Sequence, residues 1–171
     1  MSGSITPFRL LLAQGVRWKR ARLDSRIHQA WQAIQQHPLS IFIEAIPTHR
    51  LSPQDTYETT VRVFDQHAVE YMCVLDRHER LLGVVTRSEL FGAFEQGRGP
   101  TTKVEDFMLT NPIMVTPDQL PLIVAELMHK HDVDWLPVVE NRGSRRVIGI
   151  IRSERMLRHL VAQMSDSSPS N

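Results

Sequence analysis

The chain has 171 residues, 42% of them hydrophobic, with a net charge of +1 and a single cysteine. That length supports a buried core without staples, and the lone Cys73 excludes an internal disulfide framework and a cysteine-based zinc site and fits a reducing compartment. No run approaches the ~18 apolar residues of a membrane span, and the early run Leu10–Ala13 lacks the flanks of a signal peptide, so the sequence reads as cytoplasmic.

The first segment, residues 1–40, is a basic arm. Residues 1–37 hold Arg9, Arg17, Lys19, Arg20, Arg22 and Arg26 against one acid, Asp24, which leaves the remainder mildly acidic. Leu23, Ile27, Ala30, Trp31 and Ile34 fall at helical spacing and predict an amphipathic helix that stops at His37-Pro38. Such a helix packs on its own module or on a dimer mate. The run from Arg17 to Arg22 alternatively suits a membrane surface or a partner protein. A short patch on an acidic body argues against nucleic acid.

Beyond the arm the sequence repeats itself. Residues 48–76 align with 112–140 at an offset of 64. Leu51-Ser52-Pro53 falls on Val115-Thr116-Pro117, and His67 on His131. Met72-Cys73-Val74-Leu75-Asp76 falls on Leu136-Pro137-Val138-Val139-Glu140. Leu81-Leu82-Gly83-Val84-Val85 then falls on Val147-Ile148-Gly149-Ile150-Ile151 at an offset of 66. The extra residues fall in the polar turn around Asn141-Arg142-Gly143-Ser144, where insertion costs little.

Each repeat predicts the same elements. Ser52-Pro53 and Thr116-Pro117 read as N-caps with proline at N1. Gln119 completes a capping box with Thr116, and Asp55 holds the same place after Ser52. Helices follow over about 55–66 and 119–130. Leu120, Ile123, Val124, Leu127 and Met128 mark the apolar stripe of the second. Hairpins come next, over 71–85 and 135–151. Their continuous apolarity predicts cover on both faces. A further helix follows each, over about 87–94 and 153–163. Gln96-Gly97-Arg98-Gly99-Pro100 stops the first and links the repeats. The expected organisation is repeat 1 over 41–97, repeat 2 over 98–163 and a disordered polar tail over 164–171.

The motifs Leu136-Pro137-Val138-Val139-Glu140, Val147-Ile148-Gly149-Ile150-Ile151 and Gly83-Val84-Val85-Thr86-Arg87-Ser88-Glu89-Leu90 carry a resemblance to the CBS-domain pair, or Bateman module. The stretches Val104–Met108 and Asn111–Pro117 look like the family's repeat opening. The likeness covers about 41–160. It implies an α+β fold of tandem βαββα repeats, with two small sheets packed in pseudo-twofold symmetry. It also implies two clefts for an adenosine-containing ligand such as AMP, ADP, ATP or S-adenosylmethionine, dimerisation into a disc, and control of a partner enzyme, channel or transporter. A ligand preferring one placement of the repeats shifts that equilibrium by its differential affinity.

The resemblance also points to site residues. The family's ribose signature falls on Gly83, Thr86 and Glu89, the last a methylene longer than the usual aspartate. A hydroxyl and a carboxylate suit vicinal ribose hydroxyls. The same residues form a good capping box for the next helix, so both readings stand. In repeat 2 the signature meets Arg152 and Arg155, which accept no hydrogen bond. They suit phosphate or surface ion pairs instead. Ile46, His49, Met72 and Cys73 are expected to wall adenine in the first cleft, and Thr110, Ile113, Leu136 and Pro137 in the second. Tyr71 and Trp135 replace the basic residues that meet phosphate in the family. Their rings either stack on adenine or pack in the core.

Nothing assembles a catalytic constellation, so the sequence reads as a non-enzyme needing no cofactor. His129-Lys130-His131-Asp132 is rich in metal-capable groups, yet alternate helical residues do not share a face. The cluster reads as a helix C-terminus, and Cys73 as core. The leading expectation is a regulatory ligand-sensing module and homodimer. The alternatives are a ligand-free structural or dimerisation module, and the cytoplasmic regulatory portion of a chloride channel or other membrane transporter.

Overall fold

The computed structural model describes residues 35–46, 49–67 and 69–166. The expected arm helix over Leu23–Ile34 lies outside the described residues. The described chain divides into two compact units. One takes in the chain up to Ile43, Pro117–Leu136 and the chain from Ile151 on. The other takes in Glu44–Thr116 and Pro137–Ile150.

Four helices and five strands carry the repeat. Helix α1 (Tyr57–His67), strand β1 (Tyr71–Leu75), strand β2 (Leu81–Thr86) and helix α2 (Arg87–Glu95) make the first set. After the short strand β3 (Leu109–Thr110) come helix α3 (Pro121–His131), strands β4 (Trp135–Val139) and β5 (Val147–Arg152), and helix α4 (Ser153–Asp166). From α1 to α3 and from β1 to β4 the spacing is 64 residues, and from β2 to β5 it is 66, as the sequence offsets require. One sheet has the order β1-β2-β3, with both pairings antiparallel, and the other is β4-β5.

Backbone bonds repeat as well. Leu51 donates to the Cys73 carbonyl and accepts from the Leu75 amide. Val115 does the same with Pro137 and Val139. The opening segments pair outside their own repeats: Glu44 bridges Ile150 of β5, while β3 pairs with β2. Leu51, Phe64, Met72, Val74, Val85, Leu90 and Val104 form one core cluster. Every β1 side chain is buried, which fits its unbroken apolar run.

Three local expectations need correction. Helix α1 starts at Tyr57, not near Asp55. Ser52 and Asp55 instead close a turn, in which the Ser52 amide donates to Asp55 Oδ2 at 2.7 Å. Thr56 does the capping, accepting from the Thr59 amide at 3.2 Å. In the second repeat Pro121 sits at the helix start with Leu120 as N-cap, so Thr116 and Gln119 precede the helix. Proline lacks the interior amide donor and is tolerated only in the first turn. Third, the apolar stripe of α3 is rotated: Pro121, Val124, Ala125 and Met128 are buried, whereas Leu120 and Ile123 are exposed.

Other signals were read correctly. Gly97 takes φ +67° and closes α2, its amide bonding the Phe94 carbonyl, as a C-terminal glycine does. Pro100 and Thr102 carbonyls then accept the first amides of α1. Helix α3 ends in His129, Lys130 and His131, with Asp132 left-handed at φ +52°. One end differs from expectation: helix α4 continues to Asp166, past the expected end at Gln163 and into the expected disordered tail, whose residues 167–171 lie outside the described residues.

Candidate functional site

The junction of β2 and α2 is built by one hydroxyl and one carboxylate. Strand β2 ends at Thr86, which lies opposite Tyr71 in the β1 register. Thr86 is extended and caps α2, its Oγ1 accepting from the Ser88 amide at 3.1 Å. Glu89 Oε2 accepts the Thr86 amide at 2.8 Å and the Thr86 hydroxyl as well. The capping box expected from the sequence is therefore formed. Both of these bonds use Oε2, and none from another described residue reaches Oε1. Glu89, Gly92 and Ala93 of α2, with Gln96 just after it, line a groove of about 280 Å³ together with Asp106, Phe107 and Met108. Arg98, which the sequence marks only as part of the stop and linker after α2, also lines this groove.

Gly83 sits inside the sheet, opposite Thr110. A Cβ there would stand 2.7 Å from the Leu109 carbonyl oxygen and 2.8 Å from Met108 Sδ. Its missing side chain admits β3, so close strand packing accounts for this glycine. Thr110, expected in the second cleft, is thereby joined to a residue expected in the first.

The remaining expected residues fall into distinct environments. Met72 and Cys73 are buried in β1, and Leu136 and Pro137 in β4. Burial pushes the Cys73 thiol up to about 12, which removes it as a nucleophile. His49 is half-buried, with its ring stacked on His67 at 3.5 Å. Ile46 and Ile113 are half-buried on the segments that open each repeat, and Tyr71 is buried. Arg152 closes β5, half-buried. Arg155 is exposed and donates through Nε and Nη2 to the Ile41 carbonyl, tying the first residue of repeat 1 to α4. Among the described residues no group of three metal-capable side chains occurs, and no helix is long and apolar enough to cross a membrane.

Comparison with known proteins bears on the repeats directly. The CBS domain model matches residues 43–96 and 104–162. Inosine-5'-monophosphate dehydrogenase of Methanocaldococcus jannaschii is 25% identical over 144 residues, covering 84% of this chain and 27% of that enzyme. The chain thus spans about a quarter of that relative. Among solved structures, the CBS domain pair of protein MJ0100, in complex with 5'-methylthioadenosine and S-adenosyl-L-methionine, superposes with a TM-score of 0.60 at 22% identity, over 74% of this chain and 98% of that one. CBSX2 in complex with AMP superposes with a TM-score of 0.63 at 20% identity, over 74% and 97% respectively. With the family model covering both repeats and the fold repeating at the same spacings, the chain belongs to the CBS domain family as a tandem pair.

Proposed function

We propose that the chain is a regulatory ligand-sensing module that binds an adenosine-containing ligand, of the class AMP, ADP, ATP or S-adenosylmethionine, at the β2–α2 junction. The observation that carries this reading is the split use of the Glu89 carboxylate. Capping occupies Oε2, and Oε1 is left to accept from a ribose diol. The capping and binding readings of Thr86 and Glu89 are therefore compatible. The adenosine ligands held by MJ0100 and CBSX2 support the ligand class. Ligand binding would bias the arrangement of the module and so control a partner enzyme or transporter. Phe91 and Phe94, 61% and 68% exposed on α2, support a homodimer, and the single buried thiol suits a cytoplasmic setting.

A panel of AMP, ADP, ATP, S-adenosylmethionine, NAD and GTP in a thermal-shift experiment tests the reading. A ligand at 100 times its Kd adds about 2.7 kcal/mol, or about 5–10 °C for a chain of this size. A flat panel at millimolar ligand would favour the second reading, a ligand-free structural or dimerisation module. The observation behind that alternative is Arg155, which stands at the signature's acceptor position and is engaged by the Ile41 carbonyl.

A further inference from the structure

The hairpin turns of the two repeats meet at their tips. Leu81 donates to the Arg145 carbonyl at 2.9 Å, and Val147 donates to the Glu79 carbonyl at 3.0 Å. Leu81 and Val147 are equivalent residues of the repeats, as are Glu79 and Arg145, so the joint is twofold in its bonding. Arg80 and Arg146 bridge at its centre.

The joint concentrates arginine. Its two turns and Arg50 together hold six guanidiniums against three carboxylates. Each carboxylate has its own arginine: Asp76 pairs with Arg80 at 3.8 Å, Glu140 with Arg146 at 2.7 Å, and Glu79 with Arg50. Arg77, Arg142 and Arg145 are left with no carboxylate partner among the described residues. Arg145 is also held in place. Its backbone is left-handed at φ +52°, it is half-buried, and its Nε is shut off from solvent with no hydrogen-bond partner. Scattered arginines on a lone turn are ordinarily solvated charges. Here three uncompensated ones share a rim that backbone bonds hold together.

We infer that the joined turns bind a compact, multiply charged phosphate anion, a polyphosphate free in solution. Guanidinium forks match phosphate oxygens bidentately. The intervening residues His78, Asn141, Gly143 and Ser144 are polar and offer none of the apolar pockets in which a peptide's anchors bury. The β2–α2 junction is not this site, since Leu81 and Thr86 stand at opposite ends of β2, roughly 17 Å apart at strand rise.

The test is titration calorimetry of the full chain with inorganic tripolyphosphate at fixed ionic strength, with sulfate as comparison. Saturable tripolyphosphate binding that sulfate does not match is expected. The double variant Arg77→Gln/Arg142→Gln should weaken it by about tenfold or more, given the strength of charge-assisted hydrogen bonds, and adding Arg145→Gln should abolish it. Thr86→Ala should leave it unchanged. No saturable heat, an equal response to sulfate, indifference to the arginine variants, or loss on Thr86→Ala would each overturn the inference. Both residues of the double variant are exposed, so it decides the matter even where replacing Arg145 disturbs its turn. Titration with AMP reads the β2–α2 junction separately, so failure of the nucleotide reading and failure of this one are distinguishable.

Discussion

Arg80 and Arg146, equivalent residues of the two repeats, stand opposite each other in an antiparallel bridge. Like charges directly opposite across a bridge repel. Each is neutralised within its own turn, Arg80 by Asp76 and Arg146 by Glu140. The joint between the turns therefore depends on two carboxylates remaining ionised.

That dependence sets a pH response. Backbone hydrogen bonding from Arg80 holds the Asp76 carboxyl below its ordinary 3.8. The side-chain hydrogen bond from Arg146 holds Glu140 below its ordinary 4.5. A carboxyl lowered by folding stabilises the fold above its unfolded value, and that contribution disappears as pH falls through the folded value. Urea midpoints should be steady from pH 7 to about 5 and should fall below about 4. The double variant Asp76→Asn/Glu140→Gln should show a lower midpoint at pH 7 and a shallower acid decline. An acid decline identical to wild type would contradict this account.

Replacement of Thr86 by alanine removes the cap of α2. A loss of about 1 kcal/mol in the free protein is expected, or about 2–4 °C in Tm for this size. Glu89→Gln keeps an acceptor at the cap and should be milder, while weakening the ligand-induced shift more than the basal Tm. Equal losses in both would assign Glu89 to capping alone.

Gly83→Ala should be destabilising despite the small change in volume. The new methyl would collide with the Leu109 carbonyl in β3. Overpacking of this kind costs about 1–3 kcal/mol. Chemical denaturation measures it, and a neutral variant would mean that β3 yields readily.

Cys73 should resist modification. Its thiol is buried and pushed up to about 12, so little thiolate exists at pH 8. Ellman's reagent should react slowly with the native chain and fully in guanidinium. Prompt native reaction would show that β1 opens readily.

Periodicity made the fold legible. The offsets of 64 and 66 place every equivalent element, because an insertion in a turn leaves strands and helices unshifted. The starts of α1 and α3 were misread because Ser52-Pro53 and Thr116-Pro117 look like caps. Sequence alone does not say that Thr56 and Pro121 compete for those starts more effectively. The Thr86–Glu89 pair was legible as a capping box, since its three-residue spacing is local. Which of its two carboxylate oxygens the cap takes was not, for that depends on the folded geometry. The role of Gly83 was hidden too, because Leu109 reaches it from a distant part of the chain. So was the arginine rim, whose two halves meet only once both turns are folded.

The bridge between Glu44 and Ile150 matters for how the chain is made. Synthesis delivers Glu44 more than a hundred residues before Ile150. Until then the first opening segment has no strand to pair with, and non-local closures of this kind form late. Over that interval the nascent chain carries an unmated edge, which is the condition under which sheets join the wrong neighbour. Quality of assembly should accordingly depend on how quickly translation passes from the one segment to the other, even where the folded protein is stable.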